Sequence, residues 1–283
     1  MQQASRLASI EPPRPPIRAV LRPVPSTVSN ISYEEISLGT LVQVPREDIQ
    51  SFRDYLRGIP FCYNDIIPTV LGRHLDTEGD VRLFFDSSIV LAVWPVALAM
   101  PPTIRAADLV LTSEKLRDSS RPDMSVVAYS GPPTANGQPT ATAVTQIEIQ
   151  GPQGLAAFRP VIQSVLDRRV IMQPVDWTVV TRQLRMYAQD THCRSVLCSD
   201  GLDAYVFIFP PDESEETIYF IWSWSDSSEP LTLREAILFS IWYGIQLNAP
   251  FELRSVYTHY GSIWKSTCVY DSMPVLLLPH DQF

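Results

Sequence analysis

The thirty residues from Arg121 to Gln150 constrain this chain more than any other stretch. They read RPDMSVVAYS, GPPTANGQPTATA and VTQIEIQ. An apolar run from Met124 to Tyr129 enters a turn rich in Gly, Pro and Asn, and a second run, Val144 to Gln150, alternates polar and apolar as a half-buried strand does. Side chains on a strand repeat every two residues, so Glu148 and Gln150 project from one face and Ile147 and Ile149 from the other. Pairing of the two runs would set Asp123 beside Glu148. Two carboxylates at a strand end, with a polar group two residues on, suit a magnesium ion, which prefers hard oxygen ligands and completes its shell from water and phosphate.

The remainder of the chain narrows the class. With 283 residues, 45% of them hydrophobic, there is enough material for a sizeable core, and the reading is one domain, residues 46–283, behind a tail, residues 1–45. Residues 11–25, EPPRPPIRAVLRPVP, carry six prolines, which fix φ and remove backbone donors, so the tail is expected to be extended and largely disordered. Residues 1–25 hold four arginines against one glutamate, +3, which leaves −12 on the rest of a chain whose formal net charge is −9. That balance argues against a broad electrostatic footprint for nucleic acid and confines any such function to a local site. The basic, Pro-rich arm suits a protein partner of the SH3 type or phosphate, with a plain solvated tail as the favoured reading.

Cys62, Cys193, Cys198 and Cys268 are too scattered for a disulfide scaffold and are read as reduced, mostly buried thiols. Cys193 and Cys198 lack the second close pair that zinc would need. The first residues have no apolar signal region, which leads to the expectation of an intracellular protein, cytoplasmic or nuclear. The apolar run Ser87 to Thr103 is interrupted by Pro95 and is read as core rather than membrane span. A P-loop, a dinucleotide glycine fingerprint, HExxH and G-x-S-x-G are all absent. His74 is given no catalytic role, and a Cys/His pairing of Cys62 or Cys268 with His259 cannot be read from sequence.

Pro122-Asp123 followed by Glu148-Ile149-Gln150 resembles the PD-(D/E)XK nuclease superfamily, with Gln150 where that family usually has lysine. The order of elements extends the resemblance across roughly residues 45 to 222. Asp176 to Asp190 reads as an amphipathic helix with Val180, Leu184 and Tyr187 on one stripe, and Gln183 and Tyr187 share a face. In many nuclease-like members a glutamine-bearing helix lies near the site at this point. The other reading makes Tyr187 core and Gln183 surface. Next, Ser195 to Cys198 and Ala204 to Phe209 flank Ser199-Asp200-Gly201 as a β-hairpin, similar to one in poorly characterised fungal nuclease-like proteins.

The resemblance implies an α/β fold, a central mixed sheet flanked by helices, of restriction-endonuclease-like type. It also implies a metal-dependent nuclease in which Asp123, Glu148 and the Ile149 carbonyl hold magnesium or manganese, Gln150 orients the attacking water, and Gln183 and Tyr187 support them. The alternative is a nuclease-fold protein with impaired catalysis that serves as a binding or regulatory module. The family's further acid, on a helix before Pro-Asp, has three candidates here, Glu47, Glu78 and Asp86. Around these elements the sequence predicts helices from Pro45 to Leu56, Phe61 to Leu75, Gly151 to Val170 and Leu231 to Leu247, the last with Thr232 and Glu235 as a capping box, and a strand from Thr217 to Trp224. Asp80 to Thr103 is left open between strand and helix.

Overall fold

The structure, a computed structural model, describes residues 8, 34–59, 75–100, 108–112, 122–130, 140–210, 216–224 and 231–247. The strands among them are β1 (Leu41–Gln43), β2 (Asp108–Thr112), β3 (Met124–Ser130), β4 (Thr140–Ile149), β5 (Ser195–Ser199), β6 (Ala204–Ile208) and β7 (Ile218–Ser223). They form one sheet in the order β1-β7-β6-β5-β4-β3-β2, parallel at β1/β7 and β4/β5 and antiparallel elsewhere. The helices are α1 (Arg46–Gly58), α2 (Glu78–Phe84), α3 (Leu91–Leu98), α4 (Phe158–Leu166), α5 (Val175–Thr191) and α6 (Leu233–Leu247), with a π-helical turn, Phe85–Val90, joining α2 to α3. This is the mixed, helix-flanked α/β fold expected from the sequence.

Two apolar layers sandwich the sheet. One side packs Val126, Ile147, Ile149, Leu197 and Val206 against Phe52 of α1, Val81 of α2, Val93 of α3 and Ile237 and Phe239 of α6. The opposite side packs Cys198, Tyr205 and Phe207 against Phe158 of α4 and Trp177, Leu184 and Tyr187 of α5, with the Phe158 and Trp177 ring centroids 4.6 Å apart. Alternation along each strand thus decides which helix a side chain meets.

One irregularity sits upstream of the site. Val126 pairs with Thr145 but Val127 pairs with Ala143, so Val144 is an extra residue bulged out of β4. Helix α6 lies so close there that a Cβ on Gly244 would fall 2.1 Å from the Val144 carbonyl oxygen, an approach open only to glycine. Buried hydroxyls tie the same elements together: Ser240 of α6 meets Thr145 at 2.5 Å and Ser195 at 2.7 Å. Val144, Ile147 and Ile149 consequently all face the α6 side, and Glu148 faces α5.

Several expectations take a different shape. Asp80 to Thr103 resolves as helix over its described part, because Thr77 and Asp80 make a reciprocal capping box that starts α2 and the chain then runs helically to Leu98. The boundary after residue 45 moves: Ile36 and Leu41 are buried, β1 pairs with β7, and buried Ala8 accepts a 2.6 Å hydrogen bond from the Thr232 hydroxyl. A three-residue edge strand carries no readable period, which hid it in the sequence. The helix expected after Gly151 begins only at Phe158. The rest of the Pro-rich tail, the helix from Phe61 up to Leu75, the turn 131–139, Cys62, His74, His259 and Cys268 lie outside the described residues.

Among the described residues no single helix is long and apolar enough to cross a membrane. Glu78–Val90 and Ala92–Leu98 reach that length and composition only as a pair bent by 48°, and Val81, Phe85, Ile89, Val93 and Val96 among them are buried in the core.

Candidate functional site

The β3/β4 register pairs Met124 with Ile147, so Asp123, the residue before β3, meets the end of β4. The Ile149 backbone N–H donates to Asp123 Oδ2 at 2.8 Å. The Ile149 side chain is fully buried on the α6 side, so its contribution here is made by its backbone. Pro122 is buried and fixes the approach to Asp123.

Glu148 is held from three sides. Its Oε1 accepts from Gln150 Nε2 at 3.1 Å and from Gln183 Nε2 at 2.8 Å, and its Oε2 accepts from the Tyr187 hydroxyl at 2.9 Å. Gln183 Nε2 also donates to the Tyr187 oxygen at 2.8 Å, closing a ring of contacts between α5 and β4. The i, i+4 spacing of Gln183 and Tyr187 therefore does more than pack a core: both side chains end on the same carboxylate. Gln183 Oε1 is buried with no hydrogen-bond partner among the described residues.

The site is electrostatically unfavourable for its own acids. Burial pushes the Glu148 carboxyl well above the usual range, and the charges of Asp123 and Glu78 push it further against the lowering effect of the Tyr187 and Gln183 donors. Asp123 is raised by burial, opposed by the Ile149 N–H and by Arg82. Glu78 is raised by partial burial and by Asp123, again opposed by Arg82. Of the three sequence candidates for the further acid, Glu78 is the one that is raised by the charge of Asp123 and in turn raises Glu148. Glu47 lies in the first turn of α1, and Asp86 lies in the π-helical turn.

Arg82 was not foreseen from the sequence. One guanidinium nitrogen donates to the Asp123 backbone carbonyl at 2.9 Å and another to Asp123 Oδ1 at 3.3 Å. The signal was present in the Thr77-Glu78-Gly79-Asp80 capping pattern, which starts a helix whose i, i+4 positions are Glu78 and Arg82.

An all-oxygen donor set suits magnesium, which is commonly held by one or two carboxylates with water and substrate phosphate completing its shell. Asp123 and Glu148 fit that pattern, and the unpartnered Gln183 oxygen is of the same hard type. Among the described residues no group of three or more His, Cys, Asp and Glu side chains is placed to hold a metal ion. Cys193 and Cys198 are free, buried thiols whose burial raises them, so neither is an activated nucleophile. Compared with family models, curated proteins and solved structures, the chain matches none.

Proposed function

We propose that this chain is a PD-(D/E)XK-like, metal-dependent nuclease that hydrolyses nucleic-acid phosphodiesters. The observation that carries the reading is the convergence of Glu78, Asp123 and Glu148 at one end of β3 and β4, all three held above their ordinary pKa by burial, with Glu78 and Glu148 raised further by neighbouring carboxylates. Mutually repelling, desolvated carboxylates in one place cost folding stability and are characteristic of functional sites. The sequence order supports the same reading: an acid-bearing helix, two carboxylate strands, a helix bearing Gln183 and Tyr187, and the Asp200-Gly201 hairpin.

In this mechanism Asp123, Glu148 and the Ile149 carbonyl would hold magnesium or manganese, which supplies positive charge at the phosphate and a more acidic bound water. The chain's own groups position the rest. Tyr187 and Gln183 fix both Glu148 oxygens, and the Ile149 N–H fixes Asp123, so neither carboxylate has to reorganise during the reaction. Gln150 Nε2 is committed to Glu148, which leaves its carbonyl oxygen to accept a hydrogen bond from the attacking water. Water oxygen forms the new bond to phosphorus while the bond from phosphorus to the leaving sugar oxygen breaks; the water proton passes to solvent, and the leaving oxygen takes a proton from solvent to become a hydroxyl. An intracellular setting is consistent with such a substrate.

A second reading has its own observation. Glu148 already receives three donors and Asp123 receives two side-chain or backbone partners, so the network is satisfied as it stands, which suits a binding or regulatory module with impaired catalysis. Magnesium titration by calorimetry, paired with cleavage of mixed DNA and RNA, separates the two. The nuclease reading expects both binding and cleavage, each lost in Asp123→Ala. Cation binding without cleavage leaves the module.

A further inference from the structure

We propose that Arg82 is the phosphate-facing cation of this site, supplying from helix α2 the positive charge that is lacking at Gln150, just after strand β4. The inference rests on the nuclease reading and deepens it.

Phosphodiester hydrolysis places developing negative charge on the phosphate oxygens, and a fixed cation beside them lowers the barrier. Gln150 cannot provide it, being neutral and buried with its amide turned to Glu148. Arg82 approaches the same carboxylates from α2, one turn beyond Glu78, and its charge acts on both Glu78 and Asp123. Its attachment is of two kinds. The 2.9 Å bond to the Asp123 carbonyl oxygen holds the guanidinium at the strand entrance whatever the side-chain carboxylate is doing, whereas the 3.3 Å contact to Oδ1 is long and easily exchanged for another oxygen.

Exposure points the same way. The Arg82 side chain is 42% exposed and that of Asp123 17%, so the guanidinium is the more accessible of the two to a ligand from solvent. A structural ion pair of this exposure contributes little to stability, because solvent screens it. A planar, permanently charged and partly exposed fork with unused N–H groups is well matched to phosphate. The capping box of Thr77 and Asp80 fixes where α2 begins and therefore where Arg82 stands.

The test uses the full chain and the variants Arg82→Gln, Arg82→Lys, Gln150→Lys and the double variant Arg82→Gln/Gln150→Lys. Binding of a fluorescent oligonucleotide is followed by anisotropy in calcium across a salt series, and single-turnover cleavage is followed in magnesium. Thermal melting of every variant serves as the folding control. Arg82→Gln is expected to melt as the wild type does, to bind roughly tenfold more weakly with a shallower salt slope, and to cleave roughly a hundredfold more slowly. Arg82→Lys should retain part of both, and Gln150→Lys should restore cleavage in the Arg82→Gln background by about tenfold, although it cannot rebuild the bond to the Asp123 carbonyl. Unchanged oligonucleotide binding by folded Arg82→Gln overturns the proposal, as does failure of the double variant to recover. A wild type that binds through Arg82 but does not cleave removes the nuclease reading and leaves Arg82 as the phosphate ligand. Cleavage by Arg82→Gln at the wild-type rate does the reverse.

Discussion

The Ile149 backbone N–H donates to Asp123 Oδ2 at 2.8 Å, so the peptide unit that joins Glu148 to Ile149 at the end of β4 holds the carboxylate that precedes β3. This bond does not require a charge on Asp123, but burial disfavours one. Asp123→Asn can keep an acceptor for Ile149 and remove the repulsion against Glu148. The variant is expected to gain about 1 kcal/mol in urea unfolding at pH 7 while losing cation binding. A destabilised Asp123→Asn would show that the ion pair with Arg82, and not the repulsion, dominates.

Tyr187 is the donor at Glu148 Oε2. Tyr187→Phe leaves that oxygen buried without the donor, which is expected to cost about 1–3 kcal/mol by urea unfolding. A double-mutant cycle with Glu148→Gln checks the assignment, since the coupling should shrink when the carboxylate is gone. Equal losses in both backgrounds would place the Tyr187 effect in packing alone.

The hairpin after β5 supplies a pH dependence. Asp200 is buried, accepts from Leu202, Asp203 and Leu155 backbone N–H groups, and has its carboxyl pushed up to about 6 from 3.8, first by burial and then by the charge of Asp203. The folded state therefore holds this proton more tightly than the unfolded chain. Its contribution is fully present below the unfolded value and is lost as pH rises through about 6, so stability should increase on going from pH 7 to pH 4 by up to about 3 kcal/mol from this group. Asp200→Asn should flatten that slope while weakening the hydrogen bond at Leu155. Urea midpoints of wild type and variant at pH 7, 5.5 and 4.5 measure it, and identical slopes would refute it.

The sequence made the sheet around the site legible because β3 and β4 carry clear apolar patterns and Asp200-Gly201 marks a hairpin, with Gly201 at φ +83° where other residues are strained. Placing Glu148 on the face opposite Ile147 and Ile149 followed from two-residue alternation near the strand end. The Val144 bulge did not, because it depends on how closely Gly244 brings α6 to β4, a tertiary contact with no local signal. Edge strand β1 was missed because three residues leave no period to detect. Glu78 remained one of three acids and Arg82 went unremarked, since only the packing of α2 beside β3 brings them to Asp123. The convergence of Gln183 and Tyr187 on Glu148 was half visible: their shared helical face could be read, but their common partner could not.

Magnesium-dependent cleavage of a labelled pool of single- and double-stranded DNA and RNA, by wild type and by Glu148→Ala at equal concentration with a chelator control, tests the account most directly. Loss of this carboxylate removes the group on which Gln150, Gln183 and Tyr187 all converge. The account predicts cleavage by the wild type that chelation abolishes and that falls by at least about a hundredfold in a folded Glu148→Ala. Cleavage at the same rate by both proteins, or none by a wild type that has bound magnesium, would contradict it.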